Sequence, residues 1–498
     1  MSDTSQQFSS RLGLLLSVLG IAVGTGNIWR FPRIAAENAG DGGAGAFLIA
    51  WVVFLLIWSI PLIIAEYALG KKSRMGVVGT FVRFAGKGFA WMGAFVAFVA
   101  TAIMFYYSVV AGWCLYYLID SSTTALPTTV ASATATWEGF QSGGVPVVFH
   151  ILMIGFGALA VWKGVRSIER VNKILIPTLF CIVLISLVNA LTLEGSRDGV
   201  AFLFTPDWPT LRNPSLWLGA LTQNAWDTGA GWGLILTYGA YMQHRQRVVK
   251  NAVITGVGNN LVSIIAAITI FGTVFAVLGA QLTRAEVLEI MRDSGPASTG
   301  LTFIWMPQLF AQMAGGKILA ALFFLGLAFA AFSSLISMIE LATRILVDFG
   351  FERRKAIAIV CSAGLVLGLP SAIYLGFLGN QDFVWGVALM ISGTFIAFAV
   401  VRYGVDRFRT EAVVGVPGDW RVGRIWMALL KYAVPIQAVV LLVWWLRLSA
   451  TVYAPNTWFD PTSPYSVMTC LVQWGVALVA LVLLNHRMAE NTRLPPIS

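Results

Sequence analysis

Apolar runs long enough to cross about 30 Å of hydrocarbon recur along the whole chain, each closed by a short polar segment. Twelve such spans are read, at 12–36, 44–69, 89–119, 145–163, 172–193, 214–241, 247–280, 316–347, 355–377, 382–403, 425–448 and 464–485. The pattern predicts an all-α membrane protein with 12 transmembrane helices and no separate soluble domain. The first eight residues are polar and lack the basic start of a signal peptide, so the first span is expected to be retained.

Two spans are interrupted near their middles. The first reads LLLSVLGIAVGTGNIWRFP, with Gly20, Gly24 and Gly26 close together. The sixth reads TQNAWDTGAGWG, with Gly229, Gly231 and Gly233 following an aspartate, Asp227. Each glycine costs a helix interior about 1 kcal/mol. A single glycine pair would be read as close helix packing. Two clusters, each with a polar neighbour (Asn27, Asp227), occupy matching places in two five-helix sets, 1–5 and 6–10. That arrangement points to an inverted-repeat transporter site, where unwound backbone lines a polar cavity.

Charge sharpens the picture. Only 11% of residues are charged, against about 25% in soluble domains. The net charge of +10 does not indicate nucleic acid, because Lys and Arg cluster in alternate loops. The clusters are Lys71, Lys72, Arg74, Arg83 and Lys87, then Lys163, Arg166, Arg170 and Lys173, then Arg353, Arg354 and Lys355, while Asp41, Asp120, Glu138, Asp198 and Asp293 fall on the other side. The positive-inside rule therefore places both termini in the cytoplasm. Four scattered cysteines (Cys114, Cys181, Cys361, Cys470) and three isolated histidines form neither a disulfide framework nor a zinc site. No phosphate-binding loop is present, so ATP is not the direct energy source, and no organic cofactor is expected. The absence of a glycosylation sequon and a short second outer loop (120–144) point to a bacterial inner (plasma) membrane.

Several stretches are specific enough to carry a resemblance. RLGLLLSVLGIAVGTGNIWRFPRIAAENAG (11–40), IPLIIAEYALG (60–70), the Tyr106–Tyr107 pair, KGVRSIERVNKILIPTLF (163–180) and FAAFSSLISMIE (329–340) resemble the neurotransmitter:sodium symporter family, and are similar to its bacterial leucine transporter group. The resemblance implies a 5+5 inverted-repeat core with unwound helices 1 and 6, plus helices 11 and 12. It divides the chain into an N-terminal tail (1–10), a first repeat (11–195), a second repeat (196–410) and helices 11–12 with a C-terminal tail (411–498). Sodium-driven alternating access is the implied activity, with a small-molecule substrate and the lipid bilayer as partners. Oligomeric state has no signature in the sequence.

Carried over position by position, the resemblance implies two sodium sites. One uses the carbonyls of Gly20, Val23 and Ala330 with the hydroxyls of Ser333 and Ser334. Alone, that serine pair would be read as bonding back to its own helix. The other uses the Ala22 carbonyl, Asn27, Asp227 and Asn259. The implied substrate pocket is lined by Ala22, Thr25, Gly26, Ile103, Tyr107, Trp226, Gly229, Trp232, Ser334 and Met338. The backbone amides at Gly24–Gly26 and the Tyr107 hydroxyl would hold a carboxylate there. Gly24 stands where amine-selective relatives carry an aspartate, which favours an amino acid. Gly229 and Gly231 are expected to open room beside the two tryptophans. Arg30 and Asp382 are the implied outer gate. Asp348 is the implied inner gate, but its arginine partner in relatives corresponds to Ser5 here, leaving Arg11 as the nearby base. Phe8 is expected to plug the tail against the bundle. Glu66 is expected to accept hydrogen bonds from the unwound sixth helix, and Glu340 either to line the inner exit or to face a water-filled cleft.

Asp227 departs from the family pattern, where serine or threonine is common. Three readings stay open: a fixed anion replacing the chloride that relatives hold near Gln223 and Ser263, a direct sodium ligand replacing the substrate carboxylate, or a proton carrier. A local structural role competes with all three. The expectation is a sodium-coupled symporter of a small neutral or hydrophobic amino acid, with chloride not required. The alternatives are a sodium-coupled carrier of an amine or other small solute, or a ligand sensor on the same fold. No nucleophile–base pair suggests an enzyme.

Overall fold

The structure, a computed structural model, describes residues 7–292 and 300–494. Ser5 and Asp293, named above, lie outside these residues. Among the described residues every regular element is helical. Eight helices are long and apolar enough to cross a bilayer: helix 2 (Gly45–Ser73), helix 3 (Lys87–Thr123), helix 5 (Val165–Thr192), helix 7 (Val249–Leu278), helix 8 (Gly316–Asp348), helix 9 (Arg353–Ile373), helix 10 (Leu375–Tyr403) and helix 11 (Arg424–Tyr453). Three bent pairs also reach that length and apolarity: Arg11–Ala22 with Gly26–Glu37 (helix 1), Val130–Gln141 with Val145–Val161 (the latter helix 4), and Val467–Leu483 (helix 12) with Asn485–Asn491. Helix 6 is Pro214–Asp227 followed, after a break, by Leu234–Gly239.

The core is built around helix 3, whose most apolar stretch is 83% buried, against 28% for helix 11. Helix 8 packs along helix 3 more extensively than any other pair, and helix 10 covers another of its faces. Helix 11 therefore presents its apolar residues outward, as lipid contact requires. The second outer segment holds a capped helix, Val130–Gln141, in which Thr129 and Ser132 satisfy each other's backbone amides. The sequence pattern gave no sign of it, nor of the short helices Arg284–Arg292 and Leu301–Ala311 between helices 7 and 8.

Two polar contacts fix the broken segments. The Gly233 amide donates to Glu66 Oε1 at 2.7 Å, so the glutamate of helix 2 caps the second half of helix 6 as expected. Asp419, in the segment after helix 10, accepts from the amides of Val248 (2.7 Å), Val249 (3.1 Å) and Lys250 (2.9 Å) and caps helix 7. Helix 2 also approaches the second half of helix 6 backbone to backbone at Gly70, where a Cβ would overlap the Leu236 carbonyl oxygen. Gly70→Ala is therefore expected to lower stability by about 1–3 kcal/mol, the usual cost of overpacking. Thermal unfolding in detergent checks this, with Gly475→Ala, which meets no neighbour, as the control expected to match or exceed the parent.

Candidate functional site

The two breaks meet at the centre of the bundle, but their glycines do different work. In helix 1 the turn falls at Val23 (φ −80°, ψ 83°), and the two halves are bent by 53°. Gly20 is not part of the break. It lies within the first half, where an added Cβ would stand 3.1 Å from Ser333 Cβ, so it permits close packing on helix 8. In helix 6 the glycines are required by the backbone itself: Gly229, Gly231 and Gly233 have φ of +68°, +89° and +77°. A Cβ on Gly229 would meet Ile21 and one on Gly231 would meet the Gly393 backbone, so neither opens the expected room. The glycine that seats an aromatic ring is Gly386 of helix 10, pressed against Trp226.

Oxygens converge where helix 1 faces helix 8. Ser334 Oγ lies 3.3 Å from the Gly20 carbonyl, 3.4 Å from that of Ile21 and 3.3 Å from that of Ala330. Ser333 Oγ donates to the Ala330 carbonyl at 3.0 Å. Five oxygens thus share two hydroxyl protons, a set that suits a small hard cation. The structure brings Gly20, Ala330, Ser333 and Ser334 together as expected. It adds the Ile21 carbonyl, while the hydroxyls make no hydrogen bond to the expected Val23 carbonyl.

A second convergence joins the two breaks. Asn259 Oδ1, on helix 7, lies 3.0 Å from the carbonyl oxygens of both Ala22 and Asp227. In this orientation Asn259 accepts from Asn27 Nδ2 (2.7 Å) and donates to Asn260 Oδ1 (3.1 Å). Turned over, the amide nitrogen donates to both carbonyls at 3.0 Å each, so Asn259 can bridge the two breaks by itself or turn its oxygen toward a cation held there. Asn27 also donates to Ser263 Oγ at 2.8 Å, and its own Oδ1 accepts from the Gly24 amide at 2.9 Å. That last bond withdraws Gly24 from the expected carboxylate cradle.

Asp227 ends the first half of helix 6 and contributes its backbone oxygen to this second cluster. Its carboxylate is buried. Oδ2 accepts from Gln223 Nε2 at 3.3 Å, and Gln223 also donates to the Gly26 carbonyl at 3.4 Å. Oδ1 has no hydrogen-bond partner within the protein. A carboxylate oxygen buried in this way calls for a cation or another donor.

A cavity of about 730 Å³ runs from these clusters to one end of the bundle. Ala22, Thr25, Gly26, Tyr107, Trp226, Asp227, Gly229, Trp232, Ser334 and Met338 line its floor. Ile103 does not: it is fully buried in the core, one turn below Tyr107, and Val110 on the other side of Tyr107 lines the cavity instead. Position i+3 rather than i−4 from the tyrosine was the choice that helix direction decides. Trp226 and Trp232 meet edge to face with centroids 5.6 Å apart, and Trp232 Nε1 donates to the Ala225 carbonyl at 2.9 Å. Thr25 and Tyr107 share a hydroxyl hydrogen bond of 3.2 Å. The implied outer gate stands apart in this conformation. Arg30 lies over the Trp226 ring, 5.2 Å from its centroid, and Asp382 accepts from the Tyr106 hydroxyl at 3.1 Å.

The opposite end is shut by several layers. Phe8 is fully buried, edge-on to Tyr238 (5.7 Å) and Tyr241 (6.4 Å), with its amide bonded to the Tyr241 carbonyl at 3.1 Å. The Tyr241 hydroxyl and Arg353 both bond Glu340, at 2.5 Å each, so the carboxylate is fully buried within the closed inner end and faces no open cleft in this conformation. Among the described residues, the Asp348 side chain makes no hydrogen bond or ion pair with the amino-terminal tail. It pairs with Arg344 of its own helix at 2.9 Å and accepts the Gly76 amide at 2.6 Å, while Arg11 donates to Asn251. The tail is held instead by Glu169 of helix 5, which accepts from the Ser9 amide (2.7 Å) and hydroxyl (2.6 Å) and pairs with Lys173 at 2.8 Å.

Comparison with known proteins identifies the family. A profile described as the sodium:neurotransmitter symporter family matches residues 5–142 and 144–492. The chain is 30% identical, over 88% of its length and 90% of the relative, to an uncharacterized sodium-dependent transporter of Methanocaldococcus jannaschii. It is 28% identical to the sodium-dependent serotonin transporter of Drosophila melanogaster over 88% of this chain and 76% of that one. The crystal structure of MhsT in complex with L-phenylalanine superposes with a TM-score of 0.76 at 30% identity, covering 88% of this chain and 99% of that chain. The chain belongs to the sodium:neurotransmitter symporter family and is a sodium-coupled membrane transporter, not an enzyme.

Proposed function

We propose that the protein is a symporter of a small neutral or hydrophobic amino acid, driven by sodium and independent of chloride. The observation that carries this reading is the approach of the Asn259 side-chain amide, whose oxygen can turn inward, to the carbonyls of Ala22 and Asp227 at 3.0 Å each, beside a buried carboxylate with an unbonded oxygen. One sodium ion would sit among these three oxygens and another among those of Gly20, Ile21, Ala330, Ser333 and Ser334. The substrate carboxylate would take the amides of Thr25 and Gly26 and the Tyr107 hydroxyl, near the first ion. Its ammonium would face carbonyls exposed by the two breaks, and Trp226, Trp232 and Met338 would wall its side chain. The solved relative that binds L-phenylalanine supports this class of substrate.

Asp227 acts as the fixed negative charge. Two sodium ions and a zwitterion bring net positive charge into a site of low dielectric, where an uncompensated charge costs several kcal/mol. A resident carboxylate offsets that cost, where a mobile anion would otherwise have to enter. Transport follows from alternating closure: the outer cavity closes as Arg30 and Asp382 approach, and the inner layers at Phe8, Glu169 and Glu340 then separate. The basic loops orient this cycle, with both termini in the cytoplasm of a bacterial inner membrane and the halves 11–195 and 196–410 as the moving repeats.

Three measurements follow from this reading. Thermal-shift screening of the common L-amino acids, with and without sodium, should show stabilisation by neutral side chains only when sodium is present. Asp227→Asn should raise the sodium concentration for half-maximal stabilisation tenfold or more, equal to about 1.4 kcal/mol; an unchanged value excludes Asp227 from the sodium sites. Replacing chloride by gluconate should leave uptake into proteoliposomes within 20% (roughly, by the precision of such assays), whereas Asp227→Ser should make uptake depend on chloride.

A further inference from the structure

Below the serine pair, towards the end of the bundle that carries the amino terminus, two buried polar side chains have no hydrogen-bond partner within the protein. Asn172 of helix 5 is fully buried, and neither its Oδ1 nor its Nδ2 is bonded. Ser17 of helix 1 is also fully buried with an unbonded Oγ. An unpaired buried amide or hydroxyl costs about 1–3 kcal/mol, so such groups persist where something else pairs with them.

Their placement is ordered. On helix 1, Gly13, Ser17 and Gly20 follow at i, i+4 and i+7 and so share one face. Gly20 marks the upper end, where a Cβ would stand 3.2 Å from Asn172 Oδ1 and 3.1 Å from Ser333 Cβ. Gly13 marks the lower end, where the Glu169 carboxylate fills the space a Cβ would take. On helix 5, Glu169 and Asn172 are three residues apart and also share a face. The groove between helices 1 and 5 is thus polar at each successive turn: the Ser333 hydroxyl, the Asn172 amide with the Ser17 hydroxyl, then the Glu169 carboxylate. Packing alone would favour apolar residues at the middle turn, like the buried Ile176 that stands beside Gly20.

We propose that Ser17 and Asn172 form a transit site for sodium, one turn below the serine-pair site on the ion's way to the cytoplasm. The proposal rests on the sodium-coupled reading and on the orientation given above. The ligands are of the right class: an amide oxygen and a hydroxyl oxygen, neutral and small, like those of the site above. An ion leaving the serine pair would exchange its ligands in steps instead of crossing a dry apolar turn. Glu169 stands at the exit, held by Ser9 and Lys173 while the inner end is shut, and is freed when the tail swings away.

Two variants test this with sodium itself as the probe. Asn172→Asp turns the step into a stronger cation site, and should lower at least threefold the sodium concentration that half-stabilises the protein against heat. Asn172→Ala removes the step. It should slow ²²Na⁺ exchange across proteoliposomes at least threefold, with a mixture of neutral L-amino acids on both sides, while leaving sodium-dependent thermal stabilisation within twofold. Ser17→Ala gives the same exchange readout should Asn172→Ala fail to fold. An unchanged sodium dependence in Asn172→Asp, or an unchanged exchange rate in the alanine variant, overturns the proposal and leaves Asn172 as a water-bonded structural amide. Equal losses of exchange and of sodium-dependent stabilisation also overturn it, by placing Asn172 in the binding site proper. A parent protein that sodium stabilises but that exchanges no sodium sinks the amino-acid reading instead, and the Asn172→Asp titration then decides this one.

Discussion

A peptide group inside a bilayer must find its partner within the protein, and the structure follows from the two places where that demand is not met by a helix. At Val23–Gly24 and at Thr228–Gly233 the ladder of backbone bonds stops. The freed groups are answered from elsewhere: Asn27 takes the Gly24 amide, Glu66 takes the Gly233 amide, and the carbonyls of Ala22 and Asp227 turn toward Asn259. Each of these answering side chains comes from a different element or from beyond the break. The breaks therefore hold helices 1, 2, 6 and 7 in register as much as they open a cavity. The proposed ion sites are the part of this accounting that protein donors leave incomplete.

The two ends of the molecule solve opposite problems with different means. On the cavity side, Arg30 rests on an indole and Asp382 on a phenol, so the charges that could meet are each held on an aromatic side chain. On the closed side, charges are already paired and buried, and aromatic rings fill the space between them. Glu340 receives both a tyrosine hydroxyl and an arginine, and removing either partner would leave a buried carboxylate short of donors. Opening that end requires several such contacts to part together, which makes the closed state of the inner side cooperative.

The fold was legible because apolar length and glycine clustering are local properties of a sequence. Span positions and the two breaks could be read directly, and Glu66 could be placed because a buried acid opposite an unwound helix has few other uses. What was not legible depends on direction or distance. Ile103, Tyr107 and Val110 share one helix face, so which of the outer two lines the cavity turns on depth along the helix, which the sequence does not give. Glu169 was visible in its motif, yet nothing local says that it holds Ser9, some 160 positions away. Asp348 shows the reverse case, since its ion-pair partner among the described residues lies only four positions away on its own helix. Gly20 was assigned to the break by its neighbours in sequence, whereas its neighbour in space, Ser333, gives it a packing role.

The contact between Gly231 and Gly393 has an evolutionary corollary. An added Cβ at Gly231 would stand 2.9 Å from the Gly393 Cα, and Gly231 also has a backbone angle that other residues rarely adopt. Gly231 cannot drift alone, since a side chain there must be accommodated by the main chain at Gly393, while a Cβ at Gly393 would itself meet the Trp58 ring. Trp226 and Gly386 form a second pair of this kind a little higher on helix 10, but there the tight neighbour is a side chain that can change. Divergence among descendants of this protein should therefore be unequal along one helix face: frozen where backbone meets backbone, and free to trade ring for space two turns above, beside the cavity.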